Sequence, residues 1–533
     1  MNSFGFLAHF LDPFQLLDPV LSLITDSGES VSVSLQQLTD RREALVTYDA
    51  PRLIAALRKA AVQPPVLVDI RDGLKLLSGL SKDQGGRRSG TPSAALSRAS
   101  TSDQPKLVRD LVSAKSPQIE RASLEALIKA TAEALRTTWS DLRTALEMKG
   151  ELRRFLEIEM PVQEVFRKRE FLGLPIDRKQ WSETLERVRS EKYTAYRELA
   201  QQIGFSPASL NYWNVGEHLK GTDAEYLVEF SDNQSLEHYF NLAQHQSKFA
   251  KTFLMFSDAR RDESTLIRIG PGDDCVYPTF ECFGTVTGRI IVTNPPLQTL
   301  KKRHRSMIIP EPGKEFLYFD YCQFEPGVFA SLAGDESFLL LYNTEDVYVS
   351  LAVAIFNDAA RRLDAKRVFL GYMYGMSVAG LSRMLAGPTA DDSMIADFRT
   401  AINRFFDRFP ALWEYRRTVQ SDLQQTGYVS SVLGNRRIRL GSGRLSAKEQ
   451  QWALSQRIQG TASLIFKDAL IQISKLIGSE NVFLPMHDAI LVQCTELEAD
   501  IQREAVSKLM KDTFVRWCPG VRPRVSIGAY ASE

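Results

Sequence analysis

Two aspartates stand where a metal-dependent reaction could be held. Asp320 closes the apolar run Phe316-Leu317-Tyr318-Phe319, at the tip of a predicted buried strand. Asp488 sits between the apolar runs Val482–Met486 and Ala489–Val492, with only His487 beside it. That pattern predicts a β-hairpin with His-Asp at its tip. A carboxylate at a strand end, beside a turn, can bind a divalent cation through side-chain and carbonyl oxygens. Taken singly, Asp320 also suits a surface helix N-cap, and Asp488 an ordinary turn. A third feature is a predicted helix carrying Arg362, Lys366, Leu370 and Tyr374 at intervals of four. At roughly 100° per residue these positions share a face that winds slowly round the axis. Two cations and an aromatic ring in a row could grip a triphosphate and stack on a base. The same spacing also fits an amphipathic helix with solvated Arg and Lys. Two carboxylates and a basic helix together define a chemistry. A pair of Mg²⁺ ions about 4 Å apart can activate a 3′-hydroxyl and stabilise departing pyrophosphate. The spreading negative charge on the phosphoryl group is met by Lys and Arg. A P-loop would be another route, but no G-x-x-x-x-G-K-S/T occurs.

The elements needed to position these residues are legible. A chain of 533 residues is too long for one compact core, and three or four domains are expected. With 44% hydrophobic and 25% charged residues, wholesale disorder is excluded. The net charge of +1 does not mark a nucleic-acid binder in bulk, although acidic surface can cancel a basic cleft. Local basic clusters occur at Lys301-Lys302-Arg303-His304-Arg305 and at Arg436, Arg437 and Arg439, and solvated loops are their plain alternative. The five cysteines form no C-x-x-C pair, which points away from a zinc site or a disulfide framework. No apolar stretch reaches transmembrane length, and the first 30 residues carry no Lys or Arg, unlike a secretory or mitochondrial leader. Gln84 to Gln104, rich in Gly, Ser and Arg, reads as a flexible segment. A buried strand is expected at Val66–Ile70. Helices are expected at Leu107–Trp139, Glu151–Leu172, Ser182–Ile203, Ser235–Ala259, Ser337–Phe356, Arg361–Met376 and Ser393–Gln425.

In order along the chain these features resemble the DNA polymerase I (family A) polymerases. Ile158-Glu159-Met160-Pro161 is similar to the IEMP that opens the thumb region. Thr287-Gly288-Arg289 and Asn294-Pro295-Pro296-Leu297-Gln298 resemble TGR…PNLQ, with Pro296 in place of Asn. Asp320-Tyr321-Cys322-Gln323-Phe324-Glu325 resembles DYSQIE. Arg362-x-x-x-Lys366, with Gly371, Tyr374 and Gly375, resembles the nucleotide-binding fingers helix. Gly427-Tyr428-Val429 with Gly434, Arg436 and Arg437 resembles GYV…GRR, Gln459-Gly460-Thr461-Ala462 resembles QGTA, and His487-Asp488 opens HDE. The matches run from about Glu151 to Glu533.

The resemblance implies an α+β right-hand polymerase (palm, fingers, thumb), preceded by a degenerate 3′–5′ exonuclease-like (RNase H-like) α/β domain. By that scheme residues 1–150 form the degenerate domain, 151–260 the thumb, 261–335 the first part of the palm, 336–445 the fingers and 446–533 the second part of the palm. Asp320 and Asp488 are the implied catalytic metal ligands, joined by the Tyr321 carbonyl. Two Mg²⁺ ions are implied, with Mn²⁺ as a substitute. Arg362, Lys366, Leu370, Tyr374, Gln323, Glu325 and Tyr348 are the implied nucleotide site, with Glu325 disfavouring a 2′-hydroxyl. Arg289, Gln298, Arg436, Arg437, Gln459 and His487 are the implied DNA contacts. A monomer acting on primer–template DNA and dNTPs, off the membrane and in the cytoplasm (nucleoid-associated if bacterial), is expected, in replication or repair.

The departures also carry meaning. Ala489 stands where the Glu of HDE belongs, so that carboxylate is missing, Leu370 replaces an aromatic residue, Tyr348 replaces a His, and Pro326-Gly327 replaces Leu-Arg. The N-terminal region has no D-x-E pair, and no Tyr-x-x-x-Asp on its late helix, so no proofreading is expected. Two other readings stay open at this stage. Lys366-Arg367 is compatible with a single-subunit RNA polymerase or primase. The missing carboxylate is compatible with a catalytically dead nucleic-acid-binding protein.

Overall fold

The computed structural model describes residues 4–12, 18–25, 28–39, 41–80, 91–100, 105–113, 115, 119–230, 236–270, 272, 274–387 and 390–531. The N-terminal part is built on a five-stranded sheet ordered Ser30–Val33, Val20–Ile24, Phe4–Phe10, Ala44–Thr47, Leu67–Asp69. The first three strands are antiparallel neighbours, and the last two add in parallel. Parallel pairing needs a crossover, and the Ala50–Lys59 helix supplies it between the last two strands. The central strands are buried along most of their length, so they read as continuous apolar runs rather than alternating ones. The long Arg121–Met148 helix packs on this sheet through Leu127, Ile128, Leu135 and Trp139.

The second sheet positions the site. Its order is Val482–Met486, Ala489–Thr495, Lys314–Cys322, Arg524–Gly528, antiparallel throughout. The expected hairpin is present with its tip at His487-Asp488, and the expected Phe316–Phe319 strand lies inside Lys314–Cys322. The 31-residue Ala447–Ile477 helix backs it, started by a Ser446–Glu449 capping box.

Several helices differ from the sequence reading for local reasons. The segment expected as one helix over Ser337–Phe356 is two, Glu336–Thr344 and Val347–Phe356, bent by 102°. Asp346 caps the second by accepting from Tyr348 N and Val349 N. Ser393–Gln425 is likewise split into Asp392–Phe406 and Pro410–Thr426, because Pro410 cannot donate into a continuing helix. Ser235–Ala259 divides at Ser247, which caps Lys248–Ile269. The segment read as flexible, 84–104, is corrected in part. Pro92–Ala99 is a helix with Leu96 fully buried, because Leu96 and Ala95 have the apolar neighbours Val108 and Leu111 to pack against. Residues 84–90 and 101–104 lie outside the described residues. No single helix among the described residues is long and apolar enough to cross a membrane.

Candidate active site

Strand register brings the two aspartates together. Asp320 pairs with Ala489, and Ala489 with Met486 across the hairpin, so Asp488 at the tip lies beside Tyr321. The Tyr321 amide approaches the Asp488 carbonyl at 3.5 Å. His487 has φ 61°, a left-handed conformation that turns the chain sharply and sends the neighbouring Asp488 side chain into the cleft. Gln323 is also left-handed, at φ 50°, and starts the Phe324–Ala333 helix. Its Oε1 accepts from Val347 N at 2.9 Å, which ties that helix start to the start of the Val347–Phe356 helix. Tyr321 points to the interior, donating to Met510 O and stacking on Phe324.

These residues line a cleft of about 810 Å³. Across it stands the Arg362–Met373 helix, and Arg362, Lys366, Leu370 and the C-terminal Tyr374 all face in, as the four-residue spacing required. Arg362 donates twice to Asp346 Oδ2, at 2.8 and 3.0 Å. Lys366 makes no hydrogen bond or ion pair among the described residues, and its ammonium lies 5.9 Å from the Tyr348 ring. A partner-free cation facing carboxylates in a cleft is an anion site by its chemistry.

Glu325, almost fully buried, is held from both sides: the Arg289 guanidinium and the Tyr374 hydroxyl each donate to it. Arg289 also lies 3.8 Å from Asp488. Burial pushes the Glu325 carboxyl up, against the opposing Arg289 charge. Burial raises Asp488 too, Arg289 opposes, and the charge of Asp320 adds to the rise. Asp320 is raised by burial and drawn back by Lys366. Two carboxylates that each raise their own cost of ionising call for positive charge between them.

Gln459 and His487 line the same cleft, and Tyr348 sits buried at its wall. Three of the expected DNA contacts, Gln298, Arg436 and Arg437, do not line it. Gln298 is buried, donating to Ile290 O and Pro485 O and accepting from Val292 N. Arg437 is buried with its guanidinium 4.4 Å over the Trp452 ring. Arg436 is part-exposed over Tyr428. The 301–305 cluster is mostly consumed internally. Lys301, Arg303 and His304 all meet Asp262, and Arg303 also pairs with Glu191. Only Arg305 of that cluster lines the cleft.

Sequence reasoning missed Asp346, Arg305, Tyr318 and Arg524. Asp346 carried a helix-cap signal, and Arg305 lay in a noted cluster. Arg524 had no local signal, since only the pairing Cys322–Arg524 brings it in.

Comparison with known proteins bears on the family and the fold. The family model described as DNA polymerase family A matches residues 197–529. A DNA polymerase I of Mycobacterium tuberculosis (strain ATCC 25618 / H37Rv) is 28% identical over 520 residues, covering 88% of this chain and 56% of that protein. Those of Chloroflexus aurantiacus and Bacillus subtilis are each 25% identical, covering 81% and 71% of this chain and 50% and 46% of their own. The chain thus spans about half the length of the curated relatives it matches. A solved structure, the POL domain of Pol1 from M. smegmatis in complex with DNA primer-template and dNTP, superposes with a TM-score of 0.74 at 21% identity. The match covers 96% of this chain and 92% of that one. The likeness extends to the fold of nearly the whole chain.

Proposed function

Because this chain belongs to DNA polymerase family A, we propose that it is a template-directed DNA polymerase that adds dNMPs to a primer 3′-hydroxyl without proofreading. The observation that carries this is the register that sets Asp320 beside Asp488, facing Lys366 and Arg362 across one cleft.

The residues present fit a divalent cation. Asp320 and Asp488 offer hard oxygen donors, with the Tyr321 carbonyl as a third, and the cleft leaves room for phosphate oxygens and water. Ala489 contributes no further carboxylate, and among the described residues no group of three His, Cys, Asp or Glu side chains gathers. Octahedral Mg²⁺ is commonly held by one or two carboxylates plus substrate phosphates, so the pair suffices. Two such ions, when bound, would supply Lewis-acid activation of the 3′-hydroxyl and charge stabilisation at the departing pyrophosphate. Mn²⁺ suits the same oxygens.

The side chains do the remaining work. Lys366 and Arg362 hold the triphosphate and offset charge that grows in the transition state. Glu325, fixed by Arg289 and Tyr374, fills the space under the sugar where a 2′-hydroxyl would enter. Tyr374 flanks the nascent base pair, while Arg289, Gln459 and His487 line the primer side. In this reading residues 151–260 are the thumb, 261–335 and 446–533 the palm, and 336–445 the fingers.

Residues 1–150 are a degenerate exonuclease-like, RNase H-like domain. The order of its mixed sheet supports that assignment. Its central strand, Phe4–Phe10, carries no carboxylate. Asp49 pairs with Arg52 and Arg71, and Asp69 is occupied by Ala50 N and Arg71 N. Among the described residues, neither Asp49 nor Asp69 is free to serve metal-dependent hydrolysis.

Extension of a labelled primer, with each nucleotide set and with Mg²⁺ or Mn²⁺, tests the proposal. The expected result is a ladder with dNTPs and no shortening of unextended primer. Equal use of NTPs would replace the reading with an RNA polymerase or primase. Binding without extension under any condition would replace it with a nucleic-acid-binding protein.

A further inference from the structure

Among the described residues of the N-terminal region the carboxylates Asp49 and Asp69 are engaged internally, yet the region is bonded to a basic loop of the polymerase part. That loop is the hairpin whose strands Tyr428–Val429 and Arg437–Ile438 pair, and it carries Arg436. Glu151, 1% exposed, follows the last N-terminal helix, and its carboxylate accepts from two successive loop amides, Asn435 N at 2.6 Å and Arg436 N at 3.0 Å. Gly434 makes this approach possible. It has φ +61°, and an added Cβ would stand 2.2 Å from Glu151 Oε2. Arg154, fully buried and backed by Glu159, donates to Ser431 Oγ and the Leu433 carbonyl, both at 3.2 Å.

The sheet-bearing part grips the same loop from its other side. Gly79, the left-handed cap of the Ile70–Ser78 helix, accepts from Ile438 N at 2.8 Å. A Cβ on Gly79 would lie 2.8 Å from the Arg436 carbonyl. Lys149 ties the two N-terminal elements together by donating to Leu77 O.

These bonds fix the loop by its main chain, and Glu151 also pairs with the Arg436 guanidinium at 3.8 Å, holding it part-exposed, 4.5 Å over the Tyr428 ring. Charge-assisted bonds to backbone amides are the strong kind, and a loop so tied loses little entropy when it meets a ligand. We propose that the N-terminal region, together with the Glu151–Arg154 segment that joins it to the thumb, acts as a brace, with Glu151 as the positioning residue, that presents Arg436 to the phosphate backbone of the primer–template. This rests on the reading of the chain as a DNA polymerase. The region thereby contributes to DNA affinity without chemistry of its own.

The test measures binding of a labelled primer–template over a range of salt, beside the extension rate at saturating DNA. Glu151→Gln keeps the size but puts an NH₂ against one amide donor. Gly79→Ala disturbs the loop from the far side, and decides the matter should Glu151→Gln fail to fold. Both are expected to weaken binding roughly tenfold and to reduce the slope of log Kd against log salt by about 1, as for a lost phosphate contact. Extension at saturating DNA should be unchanged, and Arg436→Ala should add no further loss on top of Glu151→Gln. Wild-type affinity and slope in the folded variants, or full additivity with Arg436→Ala, would overturn the brace. A wild-type chain that binds but never extends would overturn the polymerase reading alone, since the affinities still decide the brace.

Discussion

At the scale of single residues, the site divides into groups that hold charge and groups that hold shape. Asp488 belongs to the first. Asp488→Ala should reduce extension by at least about 10³-fold, since a metal-held transition state loses several kcal/mol of stabilisation. DNA affinity should stay within about twofold, because the hairpin tip keeps its backbone; retained extension would mean the metal site lies elsewhere. Among the described residues Lys366 has no hydrogen-bond or ion-pair partner, and the Tyr348 ring lies 5.9 Å from its ammonium. Lys366→Ala should lower kcat/KM for dNTPs by about 10²–10³-fold, and an unchanged kinetic profile would remove it from the triphosphate site. Glu325 belongs to the second group. Both its oxygens are engaged, by Arg289 and Tyr374, so it is a wall and not a loose carboxylate. Glu325→Ala should raise ribonucleotide incorporation by about 10²-fold, the scale on which a cavity rejects an added hydroxyl. Unchanged discrimination in competition assays would leave the wall without that role.

At the scale of elements, Asp262 joins the Lys248–Ile269 helix to the turn at Lys302–Met307. It is almost fully buried and meets His304, Lys301 and Arg303, whose neighbours Glu191 and Asp258 complete the knot. Burial alone would raise its carboxyl, but these bonds prevail and hold it at about 2. The folded value thus lies below the unfolded one of about 3.9. The stabilisation is complete above pH 4 and is lost as pH falls through about 2. Its size is about 2 kcal/mol, reduced by the partial exposure of Lys301 and Arg303. In urea unfolding, Asp262→Asn should be less stable at pH 7 and should lose less stability between pH 4 and 2; a parallel acid profile would place the acid-sensitive group elsewhere. The same knot shows what sequence reading reaches. The hairpin at 482–492 was legible because apolar runs flank a two-residue tip. The winding face of Arg362, Lys366, Leu370 and Tyr374 was legible from helical spacing. The basic cluster was not, since Arg303 meets a Glu191 that is 112 residues away. Nor were the buried roles of Gln298 and Arg437, which only tertiary packing decides. The helix breaks at Asp346 and Pro410 did carry cap and proline signals, which the apolar periodicity overrode.

At the scale of the whole molecule, the cores do not divide at residue 150. Phe155, Met160 and Phe283 are buried in the same cluster as Phe6, Leu135 and Trp139 of the N-terminal sheet and its long helix. Polar bonds cross the same seam: Gln163 accepts from Asp69 N at 2.8 Å and donates to Asp72 at 3.0 Å. Just behind it Glu159 joins the fully buried Arg154 and Lys467, tying the segment that follows the N-terminal sheet domain to the Ala447–Ile477 helix. Separating the two parts would expose three large apolar side chains, at about 1.5–3 kcal/mol each. It would also strip the covering from buried charges whose pairing depends on that packing. Neither part can therefore open without destabilising the other, and calorimetry should find a single unfolding transition. Glu159→Gln leaves Lys467 and Arg154 buried without a countercharge, a loss of about 3–5 kcal/mol. It should move that whole transition to lower temperature without splitting it. Two resolved transitions in the wild type, or a Glu159→Gln shift confined to one of them, would show that the N-terminal part is a passenger and not a structural member of the whole fold.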